Sequence, residues 1–301
     1  MSSDRDLPPE LRRRGFRIAQ GRDAGVEPAR MRRVDLERPH HGLRRLGAPA
    51  DELDRARDAL TACAGGGVIC FASAAALWGM PLPRRLQRDP RVHVAVPAPR
   101  RAPKGRGVIG HKLALREHER ASIDGVALTS PERTWCDLGA QLDLDELVAA
   151  GDRLIHWRHG LSGLERLVDA SRRYEGRRGT RTVAAALPLL HARSDSPAES
   201  GLRLLLGRLG FDDFAVNHEI PVPGRVVPYR VDLAFVRHRL AIEYQGPTHL
   251  DPEQRRRDLT RFGHLRDVGW EALEVFAPDV RDPARLAVRI RAVLASRPRI
   301  E

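Results

Sequence analysis

Two carboxylates in the C-terminal third of the chain are placed so that a single β-hairpin would bring them face to face. The segments 229–236 and 239–245 are rich in β-branched and aromatic residues, and only two residues separate them. A turn centred on those two residues places Asp232 directly opposite Glu243. Like charges on one face of a sheet repel each other unless a cation lies between them. The pattern therefore predicts either a hard divalent cation such as Mg²⁺ bound by both carboxylates, or a hairpin with one exposed, charged face.

Two more polar side chains follow Glu243 along the chain. Gln245 lies two residues further on and therefore faces the same side of the predicted strand. His249 comes just after the Gly246-Pro247 turn. Because an imidazole has an unperturbed pKa near 6.5, His249 is the best candidate for proton transfer close to the two carboxylates.

Glu199 begins a predicted helix upstream of the hairpin, and two roles are open to it. The segment Ser196-Pro-Ala-Glu199 is a capping box, in which the carboxylate would accept a hydrogen bond from a backbone N–H. Glu199 also shares one helix face with Leu202 and Leu206, which turns it toward the sheet and within reach of a metal. The two roles are compatible with each other.

Taken in order, these residues resemble the PD-(D/E)XK nuclease superfamily, and most closely its very-short-patch-repair (Vsr) endonuclease-like branch. The residues that match are Glu199, Tyr229-Arg-Val-Asp232, Glu243-Tyr-Gln-Gly246, His249 and Gly269-Trp270. The resemblance covers roughly residues 195 to 280. It implies an α/β sandwich of the restriction-endonuclease type, a Mg²⁺ or Mn²⁺ cofactor held by Asp232 and Glu243, and hydrolysis of DNA phosphodiester bonds.

The sequence departs from that superfamily at the lysine position, which Gln245 occupies. The chain contains only two lysines, Lys104 and Lys112, and arginine stays protonated and cannot accept a proton in place of lysine. The departure leaves a second interpretation open, an antitoxin-like transcriptional regulator in which an inactive nuclease fold binds DNA or a partner protein. RNA as the nucleic acid also stays open.

The chain is strongly basic, with a formal net charge of +12 over 301 residues, which favours a polyanionic partner such as DNA. Residues 1–48 are predicted to form a winged helix-turn-helix, with helices over 11–25 and 29–33 followed by a Gly/Pro-containing extension. The predicted nucleic-acid contacts lie on the second of these helices and on a basic helix after the hairpin. They are Arg30, Arg32, Arg33, Arg257 and Arg261.

The middle of the chain, residues 49–195, is predicted as a mixed α/β region followed by helices, and residues 196–301 as the endonuclease-like domain. The segments 59–81 and 125–140 resemble AbiEi-like antitoxin domains, which implies that the N-terminal part is a winged helix. No catalytic group of residues is evident in the middle region.

Composition argues against two other classes of protein. Three cysteines without a CxxC pair predict neither a disulfide framework nor a zinc site. The longest apolar run, residues 68–80, is too short to span a bilayer, and residues 1–6 lack the apolar core of a signal peptide. We therefore expect a cytoplasmic protein that has no contact with a membrane.

Overall fold

The computed structural model describes residues 7–63, 66–97, 99–246 and 252–297. For residues 252–255 and 258 it describes the backbone only. These residues form a mixed α/β structure that divides into two compact units. No helix within those ranges is both long and apolar enough to cross a membrane.

The division of the chain differs from the predicted one. The first unit contains Met1–Asp143 and Ser162–Ala184, and the second contains Leu144–Leu161 and Ala185–Glu301. The predicted boundary at 48/49 therefore lies inside one unit. Residues 144–161, which were predicted in the middle region, join the second unit instead.

The N-terminal segment packs short helices on a three-stranded antiparallel sheet. Its elements are α1 (Pro9–Arg12), β1 (Phe16–Arg17), α2 (Ile18–Asp23), β2 (Leu36–Glu37) and β3 (Leu43–Leu46), with the strands in the order β1-β3-β2. Leu11, Phe16 and Met31 belong to its buried apolar cluster. The helix predicted over 11–25 is interrupted by β1, and the helix predicted over 29–33 is a single 3₁₀ turn, Arg30–Arg32.

The rest of the first unit is built on a six-stranded mixed sheet with the order β6-β7-β5-β4-β9-β8. Its elements are α3 (Glu52–Ala62), β4 (Val68–Ile69), α4 (Phe71–Leu77), α5 (Arg84–Gln87), β5 (Val92–Val96), β6 (Lys104–Gly105), β7 (Val108–Lys112), β8 (Arg120–Ile123), β9 (Val126–Thr129) and α6 (Pro131–Leu138). The chain then supplies α7 (Leu144–Leu154) to the second unit and returns for α8 (Leu164–Arg173). α9 (Thr180–Ala186) crosses from the first unit to the second.

A four-stranded sheet with the order β10-β11-β12-β13 forms the centre of the second unit. Its remaining elements are α10 (Pro197–Arg208), β10 (Ala215–Ile220), β11 (Tyr229–Phe235), β12 (Leu240–Gln245), α11 (Pro252–Asp267), β13 (Glu271–Phe276), α12 (Ala277–Arg281) and α13 (Pro283–Ser296). The first three strands are antiparallel, and β13 runs parallel to β12 because α11 carries the chain back across the sheet.

Apolar side chains cover the four-stranded sheet in two clusters. One cluster joins α10 and α13 to the sheet through residues such as Leu206, Ile242 and Ile290. The other joins α11 to the sheet through Leu265 and Trp270. Each large side chain buried in this way stabilises the fold by about 1.5–3 kcal/mol. The sheet therefore holds the polar side chains on its strands in fixed positions.

The predicted hairpin register is confirmed. Leu233 pairs with Ile242 and Phe235 with Leu240, which is the alignment that sets Asp232 opposite Glu243. The connection is longer than the predicted two-residue turn. Residues 236–238 form a 3₁₀ turn, and Arg239 closes it with a left-handed φ of 46°.

Candidate active site

Asp232 lies half-buried on β11, and its carboxylate is held by the neighbouring strand. Its Oδ2 accepts a hydrogen bond from the backbone N–H of Tyr244 at 2.7 Å. Burial raises the pKa of Asp232 to about 6, and the nearby carboxylates of Glu199 and Asp195 add to the rise, while the Tyr244 hydrogen bond and the Arg261 guanidinium oppose it. Asp232 is therefore harder to ionise than an ordinary aspartate, chiefly because it is buried.

Glu243 is buried, with 5% of its surface exposed, and it lies against an arginine from α11. Arg261 Nη2 is 2.7 Å from Glu243 Oε1, and the same nitrogen donates to the backbone oxygen of Arg230 at 2.6 Å. The predicted phosphate contact of Arg261 stays a prediction, and in this conformation its guanidinium pairs with a carboxylate of the hairpin. It supplies part of the positive charge that the sequence led us to expect from a cation.

Glu199 lies in the first turn of α10, and its carboxylate is turned toward the sheet. The Ser196 hydroxyl accepts a hydrogen bond from the Glu199 N–H at 3.2 Å and caps α10. The Glu199 carboxylate is buried beside the sheet, where its Oε2 accepts from the Asp195 N–H at 2.9 Å and from Asn217 Nδ2 at 2.8 Å. The backbone partner is thus Asp195 and not the cap residue Ser196, and the carboxylate is close enough to Asp232 to raise its pKa.

Sequence reasoning missed several residues that complete this site. The Oδ1 atom of Asp195 lies 2.9 Å from His156 Nε2. The Oδ2 atom of Asp195 forms an ion pair with Arg230. Asn217 holds Glu199 from a strand residue with a left-handed φ of 49°. No local pattern reveals these contacts, because they join positions 35 and 39 residues apart, although Arg230 lies within the matched Tyr-Arg-Val-Asp motif.

The remaining predicted site residues lie around this cluster. Gln245 is half-buried at the end of β12. Arg257 is exposed on α11, one turn before Arg261. His249 lies outside the described residues.

The first unit carries the other predicted nucleic-acid contacts, and these residues differ in how exposed they are to solvent. Arg32 and Arg33 are exposed. Arg30 is only 5% exposed, and its guanidinium binds Asp35 through two bonds of 3.0 and 2.8 Å. This two-bond ion pair holds the Arg30 side chain in the core, so the predicted DNA contact of Arg30 would require the pair to open.

The oxygen-rich cluster of the second unit suits a hard divalent cation in its chemistry but is not arranged around one. Asp232, Glu243 and Glu199 offer only oxygen donors, which Mg²⁺ and Mn²⁺ prefer. Among the described residues, however, no three His, Cys, Asp or Glu side chains are grouped so that they could hold a metal ion. Arg261 stands in competition with a cation for Glu243.

Two proteins of Mycobacterium tuberculosis resemble this chain over most of its length. They are Uncharacterized protein Rv2248 of strain H37Rv and Uncharacterized protein MT2308 of strain CDC 1551 / Oshkosh. Each is 31% identical over 237 residues, which cover 75% of this chain and 80% of the relative. The chain belongs to their family. No model of a known protein family matches it.

A stretch of 237 residues is longer than either compact unit, so the likeness to these two proteins includes parts of both units. The names of these relatives state no activity.

Proposed function

We propose that this chain is a DNA-binding protein whose second unit is a metal-dependent endonuclease of the PD-(D/E)XK type. The observation that carries the proposal is the placement of Asp232 opposite Glu243 on the two central strands of the four-stranded sheet, with Glu199 close enough to Asp232 to contribute to its raised pKa of about 6. Half-buried carboxylates that are not fully neutralised are costly, and they are retained where an active site uses their charge.

The arrangement of the second unit supports this assignment. Three antiparallel strands, a crossover helix and a parallel strand follow a helix that carries Glu199, in the order expected for the α/β sandwich. A divalent cation bound by Asp232 and Glu243 would polarise a phosphoryl oxygen and lower the pKa of a bound water. Glu199, fixed by Asn217, would orient the groups around that site.

The first unit is proposed to supply DNA binding through a winged-helix-like N-terminal segment. Two helices, a 3₁₀ turn and the β2–β3 hairpin follow one another there, and the hairpin takes the place of the wing. Arg32 and Arg33 are exposed beside it, and Arg257 is exposed on α11 of the second unit. The net charge of +12 favours binding to the phosphate backbone.

A regulator with an inactive nuclease fold is the second candidate, and the ion pair between Arg261 and Glu243 favours it. An arginine that neutralises Glu243 removes the need for a cation at that carboxylate. Gln245 in place of the superfamily lysine also favours an inactive regulator. Such a protein would bind DNA, or a protein partner, without cutting.

Incubation of supercoiled plasmid with the purified full chain and Mg²⁺ or Mn²⁺ tests these candidates. We expect nicking that a chelator abolishes, and we expect Asp232→Asn and Glu243→Gln to lose it, because neither carboxamide binds a divalent cation well. Asp213→Asn is the matched control, since Asp213 is an exposed acid of the same unit. DNA binding without any metal-dependent nicking would refute the endonuclease and leave the regulator. Cleavage of RNA alone would change the substrate class.

A further inference from the structure

A basic cleft in the first unit is separate from the candidate active site. It has a volume of about 500 Å³ and lies between the end of β7, helix α6 and the segment that follows α8. The side chains that give it its chemistry are Phe71, His111, Lys112, Tyr174, Arg177 and Arg178. A cleft of this size is in the range that binds small molecules.

Cations at the rim of the cleft face solvent. Lys112 and Arg178 are exposed, and within the described ranges neither has an acidic side chain within salt-bridge distance. Arg177 lies over the ring of Tyr174, with 5.4 Å from its guanidinium carbon to the ring centroid, and it also acts electrostatically on Asp137 and Glu119. Lys112 and Arg178 are therefore the cations of the cleft that are most open to a ligand.

The floor of the cleft is rigid, because its one buried cation is fully engaged. Arg133 is 3% exposed, and it donates from Nε to Asp137 at 3.0 Å and from Nη1 to Glu119 at 2.9 Å. The Asp137 carboxylate pairs with Arg133, and Arg177 at the rim also acts on it electrostatically. A ligand in the cleft would meet this ion-paired wall and the exposed cations at the rim.

One wall of the cleft is a stack of neutral rings. Phe71 stacks on His111 with ring centroids 4.3 Å apart, and His93 Nδ1 lies 2.9 Å from His111 Nε2. Burial lowers the pKa of both imidazoles, that of His93 to about 4, so the pair is uncharged at neutral pH. Phe71 has a left-handed φ of 50°, which costs about 1–2 kcal/mol for a residue with a side chain, and strain of this kind collects at functional sites.

We propose that this cleft binds a phosphate group carried by a ligand of nucleotide size, with Lys112, Arg177 and Arg178 on the phosphate and the Phe71–His111 stack beside the rest of the molecule. Guanidinium groups bind phosphate oxygens through paired, charge-assisted hydrogen bonds, and lysine binds them as a point charge. The flat, neutral wall suits a planar ring. A phosphate of nucleic acid has the same chemistry, so the source of the phosphate needs its own test.

Calorimetric titration of the full chain with inorganic phosphate, with AMP and with a short single-stranded DNA distinguishes these sources. We expect AMP to bind, and Lys112→Ala and Arg178→Ala each to weaken it about tenfold, which is the effect of losing one charge-assisted contact. Both side chains are exposed, so neither change should disturb the fold. Arg181→Ala is the control, because it removes the same charge from an exposed position of the same unit that does not line the cleft.

Each outcome decides the proposal. AMP or phosphate binding that depends on Lys112 and Arg178 but not on Arg181 supports a small-molecule site. DNA binding with the same dependence, and no AMP binding, supports a phosphate site that serves nucleic acid. If none of the three probes binds, or if all three substitutions weaken binding equally, the cleft is not a phosphate site.

Discussion

Replacement of Asp232 by asparagine should stabilise the protein at neutral pH, unlike most changes at a half-buried position. Asparagine keeps an oxygen that can accept the Tyr244 N–H bond, and it removes the charge that lies near Glu199 and Asp195. The pKa of Asp232 is about 6 in the folded protein and ordinarily 3.8. Since one pKa unit corresponds to about 1.4 kcal/mol, ionised Asp232 costs the folded state about 3 kcal/mol.

The sign of the pH dependence follows from the raised value. Below about pH 4 the carboxyl is protonated in the folded and the unfolded chain, so Asp232 costs nothing there. Between about pH 4 and 6 the unfolded chain has released this proton while the folded protein still binds it, so stability falls as pH rises across that range. The advantage of Asp232→Asn should therefore be small near pH 4, grow between pH 4 and 6, and level off above that range.

Denaturant unfolding of wild type and Asp232→Asn between pH 4 and 8, in the presence of a chelator, measures this difference. The exposed Asp213→Asn variant controls for the general effect of removing one negative charge. In millimolar Mn²⁺ the wild type should gain stability, by about 2.7 kcal/mol if the ion is at a hundred times its Kd, and Asp232→Asn should lose most of that gain. If the variant is less stable than wild type at pH 7.5, Asp232 is a structural hydrogen-bond acceptor and its negative charge does not destabilise the folded protein.

Five further substitutions test other parts of the structure. Arg261→Gln should lower the unfolding free energy by roughly 2–4 kcal/mol in chelator, because it removes the guanidinium that lies 2.7 Å from the buried Glu243 carboxylate, and Mn²⁺ should restore part of that loss; equal losses with and without metal would contradict this. Glu199→Gln should retain wild-type stability, since one side-chain oxygen can still accept both hydrogen bonds, while Glu199→Ala should cost about 1–3 kcal/mol in thermal or denaturant melts. Arg30→Ala should lower the unfolding free energy by about 2–4 kcal/mol without changing the salt dependence of DNA binding, because its guanidinium binds Asp35 in the core. The exposed Arg32 is different: Arg32→Ala should lower the slope of log K against log salt by about 0.9.

The hairpin was predictable because strand composition and the alternation of side chains act locally. Once the turn is centred on residues 237 and 238, the register follows, and the observed pairing of Leu233 with Ile242 agrees with it. The turn itself was not predictable in detail. Arg239 adopts a left-handed φ of 46°, a conformation that arginine rarely takes and that no sequence propensity indicates.

Tertiary contacts, some between residues close in sequence and some between distant ones, explain why certain contacts could not be predicted from the sequence. Arg30 was assigned to DNA because it lies in a basic run, yet it is drawn into the core by Asp35, and the helix around it shortens to one 3₁₀ turn that ends at the extended residue Arg33. His156 reaches Asp195 from the end of α7, in a segment predicted to belong to a different domain. Charge patterns identify candidate side chains, but only the packed fold decides which of them face solvent.

The choice between endonuclease and regulator depends on the partner of Glu243. Its carboxylate is 5% exposed and already contacts Arg261, so a cation that binds there must compete with the guanidinium for the same oxygens. Competition of this kind links the two equilibria: removing Arg261 should tighten metal binding by the free energy that the ion pair contributed. Arg261 is 27% exposed, which leaves it room to move toward solvent if a cation replaces it. Mn²⁺ affinities of wild type and Arg261→Gln, measured by calorimetry, therefore give the strength of that competition directly. Tighter binding by the variant, with weak but measurable binding by wild type, is the result expected of a nuclease site that an arginine closes in the absence of metal. Equal absence of binding in both would mean that the carboxylates hold no cation even without Arg261, which favours the regulator.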